Sequence, residues 1–572
     1  MVFTIQLFLD DAVACSYSAP CLFDLSQDPY EHNDLFAQPG SAAIIANIYN
    51  NYWNPLYNEY HPPLPVIQDL NAYCQSIIKN NGYLAPYTRD VRLPSLGYIP
   101  GYTSPPPSTV PTVVPSTITP TAPSAIPTVS VSTLEVSELY DVGTLEAYGY
   151  LLPLVVSDYL RLDFIANSTA NKFIPIHNFA NILVNAGSNL DTLYTPAWLD
   201  LTLGPQVVSI PDSKGRYYVL PIYDLWTEVL GVPGPRTTGD GAYTFVVTPP
   251  GWTGSLPAGL DEIKATTFYI YILGRVYTTA TPADIALVNQ FQDGFTINSL
   301  ANYIAGIPPP VIPNFNPKIV NPFALSSIAK AVALTPQQLI TRATELLKVH
   351  PTHPTDFSVL ARLKRIGIVP GQSFNFAGLD PLLQTYFATS KARAFAKYTQ
   401  SFPYIGARAN GWSVLNQTMG NWGNFYSKRW PVAVYGYAAN PVEDTIYPGS
   451  LYDNLGAPLD AQYSYSVTFS ANAPPPVNGF WSVTLYTPTL VGIPNAYNRY
   501  RLSAVDNLLR NPDGSVTIYI QNALPTSAPQ SNWLPVGITS GPIKLLMRLY
   551  WPQQSLFTGT WAPPPIIRGA PV

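Results

Sequence analysis

Two groups of residues in this sequence of 572 residues are the main candidates for catalysis or ligand binding. The first group is Asn189, Asp191, Thr192, Tyr194, Asp224, Arg236, Thr237 and Thr238. Asp224 interrupts an apolar run, where an unpaired carboxylate is costly, and Arg236 in a Gly/Pro loop is its expected bidentate partner. Two interpretations stay open: a pocket in which Arg236 binds an anionic or carbonyl group, or an internal ion pair with an Asx turn at residues 189–192.

An active site built from this group would use three catalytic candidates, namely Asp191, Asp224 and Arg236. Asn189, Tyr194 and Thr238 would then contact the ligand. The sequence contains no G-x-S-x-G elbow, P-loop, G-x-G-x-x-G or H-E-x-x-H motif. These absences disfavour the common hydrolases, nucleotide enzymes and zinc proteases.

The second group lies near the C-terminus and mixes aromatic and charged residues: Glu443, Asp444, Tyr447, Trp481, Arg499, Tyr500, Trp533 and Arg548. Trp481, Arg499 and Trp533 are candidates to stack on a sugar ring or a peptide. Burial in a β-sheet core is the simpler explanation of the two tryptophans, because large aromatic side chains are usually buried.

A third pattern, HPTHPTD, places His350 and His353 close to Asp356. Such a set is compatible with metal binding. The Pro-rich spacing instead predicts an exposed turn between helices, and we expect neither a metal nor a cofactor.

Composition limits the class of protein. Charged residues make up 11% of the chain, against about 25% in typical domains, and there are 39 tyrosines. Such a surface is typical of an assembly interface, which predicts self-association, or of a secreted β-rich protein. A net charge of −5 without a basic run argues against nucleic-acid binding.

Targeting signals are weak. No apolar run of about 18 residues predicts a transmembrane helix, and the N-terminus is a poor signal peptide because Asp10 and Asp11 interrupt it. Triplets at Asn167 and Asn416 fit N-glycosylation, which would make the chain a glycoprotein. The localisation is left unknown, with a virion or extracellular surface favoured over the cytoplasm for a soluble chain. The low count of three cysteines argues against a disulfide framework, and pairing of Cys15 with Cys21 stays open.

The pattern along the chain predicts five regions. They are a Tyr/Asn/Pro-rich segment (1–102), a Pro/Ser/Thr linker (103–133), a β-rich domain (134–300), a helical region (301–431) and a C-terminal β-sandwich domain (432–572). The expected fold class is mainly β with a helical insertion (α+β), with sandwich or jelly-roll-like domains.

Several helix ends are predicted by their capping residues. A helix over 134–161 should break near Gly143 and kink at Pro153. Thr335-Pro336 opens a second helix, and Asp356 caps a third that stops at Gly367.

Residues from about 145 to 568 resemble the paired domains of unknown function catalogued as families 1254 and 1214. The first is similar in NLDTLYTPAWLDLTLGP, SIPDSKGRYYVLPIYDLW, GPRTTGDGAYTFVVTPPGW and the GRVYTT strand around Arg275. The second is similar in PVEDTIYPGSLYDNLGAPLDAQYSYSVTF, FWSVTLY, NRYRLS, NPDGSVTIYIQ, NWLP and MRLYWPQQSLFTGTWAPPPI. The resemblance implies a β-rich architecture with a helical middle and no established reaction. Related sequences also occur in large DNA viruses, and the N-terminal 133 residues have no counterpart in usual members.

Three hypotheses of function follow. The first is a structural or surface protein, such as a virion component, with a sandwich body and an N-terminal arm for assembly. The second is a hydrolase-like enzyme that acts on hydrophobic esters between the two β domains. The third is a carbohydrate-binding module that uses its Trp and Tyr residues.

Overall fold

The computed structural model describes residues 3–6, 21–24, 133–184, 187–310, 325–401, 406–526 and 528–571. The chain divides into two compact units, residues 1–124 and 125–572. In the first unit, β1 (Phe3–Gln6) pairs antiparallel with β2 (Cys21–Asp24). The rest of the predicted N-terminal segment, nearly all of the linker, and Cys15 lie outside the described residues.

The first β-rich domain has two sheets that share one core. Its strands are β3 (Thr192–Asp200), β4 (Gln206–Ile210), β5 (Tyr218–Val219), β6 (Ile222–Tyr223), β7 (Val229–Gly231), β8 (Tyr243–Thr248), β9 (Asp261–Lys264), β10 (Tyr269–Tyr277) and β11 (Thr296–Ser299). One sheet has the order β3-β10-β6-β7 with β5 on β10, and the other has the order β11-β4-β8-β9. Apolar residues of both sheets, such as Leu199, Phe245 and Ile272, pack in one cluster. Helix α2 (Pro282–Asp293) and the short α3 (Leu300–Ile304) flank β11 in the sequence.

The C-terminal domain repeats this two-layer arrangement. Its strands are β12 (Ala407–Ala409), β13 (Trp412–Val414), β14 (Thr445–Ile446), β15 (Gly449–Ser450), β16 (Tyr463–Phe469), β17 (Trp481–Tyr486), β18 (Arg501–Ser503), β19 (Val516–Gln521), β20 (Trp533–Pro535), β21 (Lys544–Tyr550) and β22 (Ile567–Pro571). The sheets have the orders β12-β13-β15-β21-β17-β18, with β14 on β21, and β20-β19-β16-β22. Val467, Ile518 and Met547 from the two sheets share a core.

The remaining helices form a bundle around one long helix. The bundle consists of α1 (Thr133–Asn167), α4 (Leu325–Ala333), α5 (Pro336–Leu346), α6 (Phe357–Arg365), α7 (Pro381–Ser401) and α8 (Tyr426–Tyr435). A further short helix, α9 (Gln554–Phe557), lies in the C-terminal domain. The middle of α1 is buried on all sides, as expected for a helix that is apolar around its whole circumference. Acidic residues of α1 pair with basic ones of the later helices, as in Glu146–Arg362 and Asp158–Arg342.

The predicted break near Gly143 is wrong, because α1 runs through both Gly143 and Pro153. The missing side chain of Gly143 serves close packing instead, since a Cβ there would lie 3.1 Å from Ile366. Thr335 caps α5 in a capping box with Gln338, as predicted. Asp356 precedes α6 but makes no side-chain capping bond, because its carboxylate accepts hydrogen bonds from Tyr150 and Tyr426.

The predicted α+β class with a β-rich body is confirmed. A jelly-roll connection stays a prediction, as do the domain boundaries. In the part of the chain that the structure describes, no helix is long and apolar enough to cross a membrane.

Candidate functional site

The corner at residues 189–191 joins the first β-rich domain to the C-terminal domain. The side-chain oxygen of Asn189 accepts a hydrogen bond from the backbone N–H of Asp191 at 2.7 Å, which is the predicted Asx turn. The amide nitrogen of Asn189 donates to the hydroxyl of Tyr550 on β21 at 2.9 Å. The turn thus orients Asp191, and β21 anchors the turn.

The carboxylate of Asp191 is fully buried and is held by the C-terminal domain. Its Oδ2 accepts hydrogen bonds from Ser482 at 2.6 Å and Tyr550 at 3.1 Å. Its Oδ1 lies 3.2 Å from the Nε of Arg501. A buried carboxylate with these partners links the two domains, because removing any of them leaves charge or polar atoms unsatisfied.

Arg236 forms a second link between the domains, with a partner that the sequence did not indicate. Its Nε and Nη2 donate to the two carboxylate oxygens of Asp444, both at 2.8 Å. The predicted Arg236–Asp224 pair is therefore wrong, because the loop that carries Arg236 faces residues of the C-terminal domain. Burial raises the pKa of Asp444, and the paired guanidinium opposes that rise.

Asp224 is instead part of a cluster with the helical region. Its buried carboxylate accepts hydrogen bonds from Thr266 at 2.6 Å and from the backbone N–H of Glu228 at 2.9 Å. The Nε2 of His353 lies 2.8 Å from the same carboxylate. The partner that a buried carboxylate requires is therefore supplied by residues of its own domain and by His353 of the helical region.

The predicted exposure of the HPTHPTD turn is wrong for His350. This side chain is only 2% exposed, and its Nδ1 accepts a hydrogen bond from the backbone N–H of Phe268 at 3.3 Å. Burial lowers the pKa of His350 to about 4, so the ring is neutral near pH 7. No group of three or more His, Cys, Asp or Glu residues suited to a metal ion occurs within the described ranges.

Two other arginines at the domain interface are buried and have neutral hydrogen-bond acceptors. Arg275 on β10 is 4% exposed and donates to the side chain of Asn440 and the carbonyl of Ala438. Arg548 on β21 is 2% exposed and donates to Thr484 at 2.9 Å and Tyr486 at 2.8 Å. In the described part of the chain, neither guanidinium has a carboxylate oxygen within 4.0 Å.

Tyrosines surround these two guanidinium groups. Tyr194, Tyr223, Tyr447 and Tyr550 interact electrostatically with Arg275, and Tyr486 and Tyr550 with Arg548. The carboxylates of Asp444 and Asp191 also interact electrostatically with Arg275 and Arg548, respectively. Burial raises the pKa of Tyr194 to about 12, so its phenol stays protonated near neutral pH. The phenols therefore supply hydrogen-bonding groups but no negative charge. We call the two arginines and four of these tyrosines the arginine–tyrosine site. Its residues are Arg275, Arg548, Tyr194, Tyr447, Tyr486 and Tyr550.

The interface holds fewer buried carboxylates than arginines. Four arginines lie there: Arg236, Arg275, Arg501 and Arg548. Asp191 and Asp444 are the buried carboxylates beside them, and each is bound by a different arginine. Glu443 is exposed and Asp506 is partly exposed, so water screens their charges. Arg275 and Arg548 are the two buried arginines of this set without a carboxylate oxygen within 4.0 Å among the described residues, and the charges of Asp444 and Asp191 act on them from further away.

Three sequence candidates, Tyr194, Tyr447 and Arg548, belong to this site, and the remaining ones lie outside it. Trp481 packs on Phe469 at a ring distance of 4.6 Å, and the indole of Trp533 donates to the carbonyl of Gln521. Both are buried in the C-terminal domain, which confirms the core interpretation. Arg499 donates to the carbonyl of Trp533 at 3.0 Å, and Thr238 bonds Gly234 within its own loop.

The sequence analysis missed Ser482 and Arg501 and gave Arg275 no role. A usable signal existed for Arg275, because it interrupts the apolar strand YIYILGRVY just as Asp224 interrupts its own strand. Arg548 in KLLMRLY has the same signal. Neither pattern reveals that the two strands meet at one interface.

The fold and this interface define a two-domain α+β protein whose domains share one buried polar network. Residues 171–299 match the family described as "Protein of unknown function (DUF1254)". Residues 444–554 match the family described as DUF1214, also of unknown function. The resemblance stated from the sequence is confirmed, with both domains in the expected order.

One solved structure shares this fold, and a second is reported beside it. A crystal structure of a protein from Vibrio parahaemolyticus is 22% identical, with a TM-score of 0.54 over 75% of this chain and 98% of that chain. An uncharacterised protein from Burkholderia cenocepacia is 14% identical, with a TM-score of 0.37 over 76% of this chain and 96% of that chain. No curated protein matches the chain.

Proposed function

We propose that the protein binds a small oxyanion, carried by a carboxylate or phosphate group, at the arginine–tyrosine site. The observation that supports this function is the burial of Arg275 and Arg548 without a carboxylate oxygen within 4.0 Å of either guanidinium among the described residues. A buried charge without a counter-charge in direct contact is unfavourable. An oxyanion supplies that charge and forms short, charge-assisted hydrogen bonds with guanidinium groups.

The tyrosines favour the same ligand chemistry. Protonated phenols donate hydrogen bonds to anionic oxygens, and burial keeps Tyr194 and Tyr550 protonated by raising the pKa of each. One of the two interpretations of the sequence has Arg236 bind an anionic or carbonyl group. Because Asp444 occupies Arg236 in a bidentate pair, the proposal transfers that role to Arg275 and Arg548.

The test is thermal unfolding of the full chain with citrate, malonate, inorganic phosphate or sulfate, each against sodium chloride of equal ionic strength. A ligand that binds only the folded state stabilises it by about 2.7 kcal/mol at a hundred times its Kd. We expect a saturable rise in Tm with at least one anion. The carboxylate and phosphate arms distinguish the two sources of the oxyanion.

Arginine variants connect the effect to the site. Arg275→Gln and Arg548→Gln should fold and lose the anion-dependent rise in Tm, while Arg499→Gln should keep it, because Arg499 is partly exposed and lies outside the site. A rise that persists in both site variants would contradict the proposal. So would the absence of any saturable rise in the native chain.

The assembly function inferred from composition is a second candidate. It is favoured by large apolar side chains at the surface, among them Leu455 at 85%, Phe357 at 76% and Leu203 at 73% exposure. Apolar surface of this kind is typical of protein interfaces when it forms a contiguous patch. Assembly and anion binding are compatible, because the apolar residues lie outside the arginine–tyrosine site.

A further inference from the structure

A cleft of about 900 Å³ opens between the first β-rich domain and the C-terminal domain. Sites for small molecules usually measure about 300–1,000 Å³, so this volume suits a ligand of more than one ring. Five aromatic residues line the cleft: Tyr217, Tyr277, Phe291, Phe480 and Trp551. They come from both domains, so the cleft depends on the domain arrangement.

Trp551 has a backbone conformation that is unusual for a large side chain. Its φ of +53° lies in the left-handed region, which costs about 1–3 kcal/mol for a residue other than glycine. The backbone around it is held in place, since its N–H donates to the carbonyl of Asp444 and its carbonyl accepts from the N–H of Asn478, both at 2.8 Å. The strained turn places a half-buried indole in the wall of the cleft.

The charges that line the cleft cancel. Asp212, Lys214, Arg216 and Asp284 are the charged residues in its wall. Arg216 and Asp284 form an ion pair at 2.7 Å, and this bonding lowers the pKa of Asp284 to about 2 against the opposing effect of burial. A wall with two positive and two negative groups favours an uncharged ligand over an acid or a nucleotide.

The uncharged polar groups of the cleft wall also indicate the class of ligand. Gln290 and Asn478 are exposed amides that both donate and accept hydrogen bonds. Aromatic rings beside amides suit a ligand that has apolar C–H faces and many hydroxyl groups. A sugar ring has both, and an aliphatic or purely aromatic ligand lacks the hydroxyls that the amides would bond.

We propose that this cleft is a binding site for an uncharged oligosaccharide, with Trp551 stacking on a sugar ring. The site is separate from the oxyanion site in its residues and in the charge of its ligand. It also differs from the sugar site that the sequence suggested, because Trp481 and Trp533 are buried in the C-terminal domain.

The test is binding of the full chain to an array of neutral and acidic oligosaccharides, followed by calorimetric titration of the best ligand. Trp551→Gly removes the ring and should fold well, because glycine adopts a positive φ without strain. We expect at least a tenfold loss of affinity in Trp551→Gly and near-native affinity in Trp551→Phe, which keeps a ring. Trp252→Ala is the matched control, since Trp252 is also half-buried but lies outside the cleft.

Three results would overturn the proposal: no neutral glycan bound, binding unchanged in Trp551→Gly, or equal losses in Trp551→Gly and Trp252→Ala. Preferential binding of acidic glycans through Arg275 and Arg548 would also contradict it, while supporting the oxyanion site. The two proposals therefore fail separately.

Discussion

Asp191 illustrates how one residue joins two domains. Ser482, Tyr550 and Arg501 of the C-terminal domain all contact its buried carboxylate. A catalytic carboxylate would need access to a substrate, but the partners of Asp191 enclose it. Its contacts therefore favour the internal ion pair over the catalytic interpretation, and a hydrolase-like activity stays a prediction without support from this residue.

We expect Asp191→Asn to destabilise the protein by about 3–5 kcal/mol, because the change leaves the guanidinium of Arg501 without its buried partner. Chemical denaturation of the full chain measures this loss. Asp293→Asn is the control: Asp293 is 55% exposed and pairs with His177, and exposed pairs contribute about 0–1 kcal/mol. A native-like stability of Asp191→Asn would contradict the structural role and revive the catalytic one.

At the scale of elements, a proton-binding cluster ties three segments together. The turn between β6 and β7 carries Asp224 and Glu228, the segment before α6 carries His353, and the carboxylate of Glu228 accepts the backbone N–H of Trp422 before α8. Burial, followed by the charge of Asp224, raises the pKa of Glu228 to about 7. The hydrogen bond and charge of Asp224 raise the pKa of His353 against the effect of burial. Asp356 and Arg429 also act on this cluster.

Both shifts make the folded protein bind protons more tightly than the unfolded chain. The contribution of these two groups to stability should therefore fall as the pH rises from about 4.5 to 7 through the titration of Glu228, and further as the pH passes the raised pKa of His353, whereas the lowered pKa of His350 contributes a rise between about pH 4 and 6.5. We expect Glu228→Gln to flatten this decline, since glutamine keeps an acceptor for Trp422 but does not titrate. Denaturation midpoints between pH 5 and 8 measure the effect.

Glu262→Gln provides the control for that series, because its side chain is 25% exposed and lies on the far edge of the first domain, on β9. The pH profile of this variant should match that of the native chain. An equally steep decline in Glu228→Gln would show that other groups cause it.

At the scale of the whole molecule, the assembly hypothesis concerns the segment before α1. We expect a chain without residues 1–132 to keep its fold, because α1 begins at Thr133 and the domains and bundle follow it. The same deletion should lower the oligomeric state or the incorporation into particles. Light scattering and circular dichroism measure the two properties, and an unchanged assembly would contradict the hypothesis.

Local patterns in the sequence determined much of the architecture. Alternating β-branched and aromatic residues predicted strands such as YSYSVTF, and the N-cap pair Thr335-Pro336 predicted the start of α5. These features depend on neighbours a few residues apart, so they are visible without tertiary structure. The family motifs determined the pairing of the two domains for the same reason, because each motif is a short contiguous run.

Only the tertiary structure decided which charged residues meet. Arg236 and Asp444 are 208 residues apart in the chain, and Asp224 and His353 are 129 apart. The sequence predicted the nearer pair Asp224–Arg236, since nothing local distinguishes one buried carboxylate from another as a partner. The nearness of Arg275 and Arg548 to one another likewise emerges only when β10 and β21 are placed at one interface. Which charged groups are neighbours depends on their positions in space and not on their positions along the chain.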